Sequence, residues 1–186
     1  DGLSLDGIAE RRKALVESLL TEEQKGLLAN NKEIDFSFEV TGRGRFRVNA
    51  YHQKGSLAAS LRYVPAVIKG IEELSLPKIC YEFARVKQGF VLVTGPTGHG
   101  KSTTLAAIVS EILKTRQVNI ITIEDPIEFV FESSKSLISQ RELHQDTHSW
   151  SAALRSVLRE DPDVVLIGEM RDYDTIAAAL TIAETG

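Results

Sequence analysis

The chain of 186 residues is 42% hydrophobic and 26% charged, an ordinary balance for a globular protein with room for one large domain or two small ones. Its net charge of -4 excludes a global field that draws in nucleic acid, and no long Lys/Arg run supplies a local one. Cys80 stands alone, which excludes an internal disulfide and a cysteine-based zinc site and fits a reducing compartment, and no apolar run approaches the roughly 20 residues of a membrane span. Ile8, Leu15, Val16, Leu19 and Leu20 recur at helical spacing and predict a first helix. Thr21-Glu22-Glu23-Gln24 has the pattern of a capping box, compatible with a second short helix toward Asn30 or with a solvated charged turn.

Three alternating runs follow: Ile34–Val40, Arg45–Tyr51 and Leu57–Tyr63, with turn residues Thr41-Gly42-Arg43-Gly44 after the first. They predict an antiparallel sheet with Phe46, Val48 and Ala50 on one face and Arg45 and Arg47 on the other. The third strand puts Ser60 and Arg62 opposite its apolar face. Pro65, Gly70 and Pro77 punctuate a segment that reads as a linker with a little order. From Pro77 the pattern changes to helices alternating with apolar strands. Helices are expected at Lys78–Val86, from Lys101 to about Lys114, at Ser151–Glu160 and at Asp172–Glu184. Strands are expected at Phe90–Val93, Asn119–Ile123, Leu137–Ile138 and Asp163–Ile167. Strands alternating with helices imply a parallel sheet covered on both faces.

Gly95, Pro96, Thr97, Gly98, His99, Gly100, Lys101 and Ser102 spell G-x-x-x-x-G-K-[ST] between an apolar run and a helix-prone stretch. Glycines let backbone N–H groups curl around a phosphate, and the helix that begins there adds its partial positive end. Lys101 suits the β- and γ-phosphates, and the Ser102 hydroxyl suits Mg²⁺. Hydrolysis also needs carboxylates, and ligands of such a sheet sit at the carboxyl ends of its strands. The strand ending at Ile167 runs into Gly168-Glu169, a Walker B-like arrangement in which Glu169 can hold a water of the Mg²⁺ shell. The strand ending at Ile123 runs into Glu124-Asp125-Pro126-Ile127-Glu128, whose acids can orient or deprotonate the attacking water or be solvated loop acids. Arg45 and Arg47, about 6–7 Å apart on one strand face, can embrace a polyphosphate or can line a solvated face. His144 and Asp146 have the two-residue spacing of metal ligands on a strand but lack further ligands. His99 occupies a free position in the phosphate loop, where its backbone matters more than its ring.

With these motifs assembled, the chain resembles the type IV pilus retraction ATPases, the PilT-like branch of the secretion ATPase superfamily. The matching segments include Asp35–Phe38, Arg45–Tyr51, Gly95–Thr104, Thr122–Phe129, Gln140-Arg141-Glu142, Ala153–Asp163, Gly168–Asp172 and Ala183–Gly186, so the resemblance covers nearly the whole chain. It implies an α/β protein: a PAS-like α+β domain over residues 1–64, a linker over 65–76 and a RecA-like ATPase core with a mostly parallel sheet over 77–186. It implies ATP and Mg²⁺ as ligands, with ATP between the two domains and Gly95 to Thr103 as the Walker A loop. Glu128 falls on water activation, Glu169 and Ser102 on the metal, and Arg45 and Arg47 on arginines that approach the phosphates; Arg62 is a weaker match of that kind. It further implies a homo-hexameric ring in the cytoplasm, peripheral to the inner membrane, that works on the pilus machinery without nucleic acid.

Against the family pattern, no strand precedes the first helix, and the sequence stops at Gly186 before the family's histidine-bearing segment. The expectation is therefore of a chain truncated at both ends. The segment from Arg45 to the phosphate loop and the run Glu169-Met170-Arg171-Asp172 favour retraction. The alternatives are a pilus-extension or type II secretion ATPase of the same superfamily and, in another class, a regulatory subunit that binds ATP without hydrolysing it.

Overall fold

The computed structural model describes residues 5–40, 44–64 and 67–185. The turn expected at Thr41-Gly42-Arg43, Pro65 at the head of the expected linker, and Asp1 and Gly186 lie outside the described residues. The chain divides into two compact units, Asp1–Val64 and Pro65–Gly186.

In the first unit, α1 (Leu5–Ser18) and α2 (Glu22–Asn31) precede β1 (Glu33–Val40), β2 (Gly44–Gln53) and β3 (Ser56–Val64). Helix α2 starts where the capping box predicts. The Thr21 side chain accepts from Gln24 N–H at 3.2 Å and the Gln24 side chain accepts from Thr21 N–H at 3.0 Å. Two of the helix's free N–H donors are thereby satisfied, and the solvated-turn alternative falls away. The three strands form an antiparallel sheet in the order β1-β2-β3. Alternation sorts its side chains: Phe36, Val48 and Ala50 enter one core with Val16, Leu20, Leu28 and Leu57. Phe46 packs against both Phe38 and Tyr63, with ring centroids 6.4 and 5.5 Å apart.

In the second unit, residues 71–75 form a turn within the stretch expected as a linker, and Ile71 is buried in the core beside α4. Then come α3 (Ile79–Arg85), α4 (Lys101–Thr115), β4 (Asn119–Glu124), β5 (Leu137–Glu142), α5 (Trp150–Val157), β6 (Val164–Ile167) and α6 (Tyr173–Thr185). The sheet is parallel, in the order β5-β4-β6. β4 is the centre, and five of its six residues are buried because both its faces are covered. Ile120 packs with Ala106, Ile108, Ile112 and Leu113 of α4 and with Ile138, Val164 and Leu166. Ile121 and Ile123 pack on the other face with Ala153, Leu154 and Val157 of α5 and with Ala178 and Ile182 of α6.

One expected element is absent. Residues 86–96 adopt no strand, and Phe90, Val91 and Leu92 are 44%, 41% and 59% exposed. An extended run becomes a strand only when its N–H and C=O groups find a ladder, and the edge of β6 away from β4 carries no paired strand among the described residues. Apolarity alone does not supply that partner.

Replacing Thr21 by Ala removes one half of the capping box, and the first unit is expected to lose about 1 kcal/mol. Thr21→Ser, which keeps the acceptor, should stay close to the parent. Urea denaturation followed by circular dichroism measures both, and an unchanged midpoint for Thr21→Ala would contradict the assignment.

Candidate functional site

The phosphate loop is built from glycine geometry. Gly95, Gly98 and Gly100 have φ of 150°, 81° and 84°, in the region side chains avoid, and Gly100 is the N-cap of α4. The loop therefore delivers its N–H groups and the free N-terminal turn of α4 to one place, a ready anion site. Its side chains fold back on its own carbonyls: the Lys101 ammonium donates to Pro96 O at 2.9 Å, and His99 Nδ1 lies 3.1 Å from Thr97 O. Most of the loop is exposed, while Lys101, Ser102 and Thr103 are half-buried.

Strand parity brings the acids to this loop. Ile120, Thr122 and Glu124 share the α4 face of β4, so the strand's last residue emerges beside the first turns of that helix. A single pocket is lined by Ser102, Leu105 and Ala106 from α4, Glu124 at the end of β4, Asp125 and Glu128 after it, and Gly168 and Glu169 after β6. Gly168 is needed for a close approach: a Cβ there would stand 3.3 Å from Glu124 Cα and 3.4 Å from Ile123 O, both backbone atoms. Glu169 is half-buried and pairs with Arg171 at 2.8 Å. The Glu128 side chain is exposed at the mouth, while its N–H lies 3.4 Å from Glu124 Oε2.

Glu124 is the buried acid of the group, 7% exposed. Burial raises its pKa above the ordinary 4.5, hydrogen bonds from Thr122, Gln140 and the Glu128 N–H oppose the rise, and the charge of Glu128 reinforces it. The Thr122 hydroxyl donates to Glu124 Oε1 at 2.6 Å and the Gln140 amide donates to the same oxygen at 3.2 Å. At the start of α6, Asp172 caps the helix: it accepts from Thr175 N–H at 2.7 Å and from the Thr175 hydroxyl at 2.6 Å, and these bonds lower its pKa.

Of the residues expected to act, Ser102, Glu128 and Glu169 come together in this pocket, next to the loop from Gly95 to Thr103. Arg45 and Arg47 lie on β2 of the first unit. The register sets Arg47 opposite both Ser37 and Arg62, and Arg45 opposite Glu39, so the three arginines share one sheet face. The Arg45 guanidinium donates to the Ser37 hydroxyl. Asp146 serves a turn, since its carboxylate accepts from Glu142 N–H at 2.8 Å while His144 N–H donates to Thr147 O at 2.7 Å. Among the described residues no group of three or more His, Cys, Asp or Glu is arranged to hold a metal.

Gln140 and Glu142 are the contributors that the sequence reading left without a role. They alternate on β5 on the face shared with Thr122 and Glu124, and Glu142 is 1% exposed. The strand expected from sequence ends at Ile138, short of both residues, so no local pattern marks them.

A phosphate loop opening a helix, with carboxylates at the carboxyl ends of two neighbouring parallel strands, defines a P-loop nucleotide-binding domain. The chain belongs to the type II/IV secretion system protein family, whose model matches residues 69–186. It is 53% identical over 178 residues to a twitching motility protein of Neisseria gonorrhoeae, covering 96% of this chain and 48% of that one. It is 51% identical over 173 residues to the type IV pilus retraction ATPase PilT of Pseudomonas aeruginosa, covering 93% and 50%. The crystal structure of a pilus retraction motor PilT with bound ADP superposes with a TM-score of 0.91 at 50% identity, over 94% of this chain and 51% of that one. The chain thus spans about half the length of the curated relatives it matches. No helix among the described residues is long and apolar enough to cross a membrane.

Because the folded-state pKa of Glu124 is raised, its proton is bound more tightly in the fold than in the unfolded chain. This group favours folding below pH 4.5, and that contribution is lost as pH rises through the raised value. Glu124→Gln removes the titration, so the variant should gain stability relative to the parent as pH rises through that window. Urea midpoints of the two proteins between about pH 4 and about pH 8 measure it; a difference that does not change with pH contradicts the assignment.

Proposed function

We propose that this chain is the nucleotide-hydrolysing part of a motor that drives type IV pilus retraction, working as a hexameric ring in the cytoplasm beside the inner membrane. The observation that carries the proposal is the shared pocket of Ser102, Glu128 and Glu169 at the phosphate loop. The similarity to a twitching motility protein along 96% of the chain, first unit included, supports retraction over extension or secretion. The retained acids disfavour a subunit that only binds ATP. On this reading residues 1–64 are a PAS-like domain, 65–76 a linker and 77–186 a RecA-like core.

In the proposed mechanism the loop N–H groups from Gly95 to Thr103 and the Lys101 ammonium hold the β- and γ-phosphates of ATP. Lys101 exchanges its bond to Pro96 O for the phosphate. The hydroxyl of Ser102 and the carboxylate of Glu169, oxygen donors lining one pocket, would hold a hard cation such as Mg²⁺. Mg²⁺ held there would neutralise charge on the phosphates. Glu128, exposed at the pocket mouth, orients the attacking water and accepts its proton. The bond formed is from water oxygen to γ-phosphorus; the bond broken is to the bridging oxygen, and ADP and phosphate leave. Arg45 and Arg47 are phosphate-facing arginines, serving the same chain or a neighbouring copy.

Three substitutions separate these roles. Lys101→Ala is expected to lose nucleotide binding and turnover together. Glu169→Gln and Glu128→Gln are expected to bind ATP and turn it over about a hundredfold more slowly, or worse. Fluorescent-nucleotide titration and phosphate release measure both quantities, and full activity in Lys101→Ala would sink the proposal.

A further inference from the structure

The acidic loop after β4 holds its shape through the side chains of another strand. Ile127 N–H donates to Glu142 Oε2 at 3.1 Å. Phe129 O accepts from Gln140 Nε2 at 2.8 Å, and Phe131 N–H donates to Gln140 Oε1 at 2.8 Å. Backbone groups at alternate loop positions are therefore satisfied by side chains at alternate positions of β5, which take the place of a neighbouring strand. Ile127 and Phe131 are buried and Phe129 packs against the α4 core; the Ile127–Glu142 bond is buried and the two Gln140 bonds are partly so. Glu128 stands between the two gripped residues Ile127 and Phe129, and its own N–H is held by Glu124, the carboxylate that Gln140 also touches.

We infer that Gln140, assisted by Glu142, is a positioning residue for ATP hydrolysis: it clasps the loop so that the Glu128 carboxylate stays at the pocket mouth. This rests on the role proposed for Glu128. Gln140 suits the task because a single planar amide both donates and accepts, answering a carbonyl and an N–H two residues apart. The phosphate loop hangs on other elements, α4 and the segment before it. Loosening the clasp therefore moves Glu128 without removing the nucleotide's main contacts. A shift of about 1 Å in a reacting group can cost a factor of about a hundred in rate.

The test compares Gln140→Leu, Glu128→Gln and the double variant in the full-length protein. ADP affinity and single-turnover hydrolysis of ATP are the readouts. Gln140→Leu should lower the rate by about tenfold to a hundredfold while ADP affinity stays within about twofold. It should add nothing in the Glu128→Gln background, because it works only through that carboxylate. A normal rate in Gln140→Leu beside a slow Glu128→Gln overturns this inference alone. An equal further loss in the double variant overturns it too, since Gln140 would then act independently of Glu128. A fully active Glu128→Gln overturns the reading of Glu128 and this inference with it. If Gln140→Leu fails to bind ADP and unfolds early, Gln140→Glu replaces it. That variant keeps the length and the acceptor for Phe131 N–H but turns an oxygen toward Phe129 O, and the same rate loss with intact ADP affinity is expected; a parental rate overturns the inference.

Discussion

Strand β4 is paired on both sides, to β5 from Asn119 to Glu124 and to β6 from Ile120 to Ile123, and the rest of the second unit is arranged around that double ladder. With its backbone so committed, the strand cannot rotate, and parity assigns each side chain a face. Ile121 and Ile123 face α5 and α6, while Ile120, Thr122 and Glu124 face α4. Along that second set the chemistry passes from hydrocarbon to hydroxyl to carboxylate, from dry core to pocket. Burying the Glu124 carboxylate is costly unless it is hydrogen-bonded, and Thr122, Gln140 and the Glu128 N–H supply those bonds.

The same logic gives β5 its two jobs. Gln140 and Glu142 lie on the α4 face and grip the acidic loop. Arg141, of opposite parity, pairs with Glu160 at 2.9 Å, and the Ser156 hydroxyl bonds that carboxylate too. At the other end of the sheet Asn119 ties the start of β4 to the approach to β6. Its N–H donates to Asp163 Oδ2 and its side-chain amide donates to the Glu160 and Asp161 carbonyls. The run Glu160–Asp163, between α5 and β6, is thus tied to the start of β4.

In the first unit the constraint is register. Arg47 and Arg62 sit directly opposite one another, an arrangement that opposes sheet stability when like charges meet. On the other side of β2 the register sets Glu39 opposite Arg45 and Ser37 opposite Arg47, and the Arg45 guanidinium donates to the Ser37 hydroxyl. Arg45 and Arg47, for which a phosphate-facing role is proposed, share that face with Arg62.

The sequence by itself determined what depends on neighbours within a few residues. Alternation in Ile34–Val40 and Arg45–Tyr51 determined the antiparallel sheet and its arginine face. Gly95 to Ser102 marked the phosphate loop, and Thr21 and Gln24 offered a capping box compatible with α2 without deciding it. Each is a matter of local period, capping or backbone freedom. The tertiary structure decided what depends on partners far along the chain. Phe90–Val93 has the composition of a strand, but ladder bonds come from another segment, and composition cannot report whether one is there. The acids Glu124, Asp125 and Glu128 look alike in sequence. Only the β4 ladder buries the first, and only the bonds from Gln140 and Glu142 set the last at the pocket mouth. The role of a carboxylate follows from its burial and its donors, and both are properties of the packed chain.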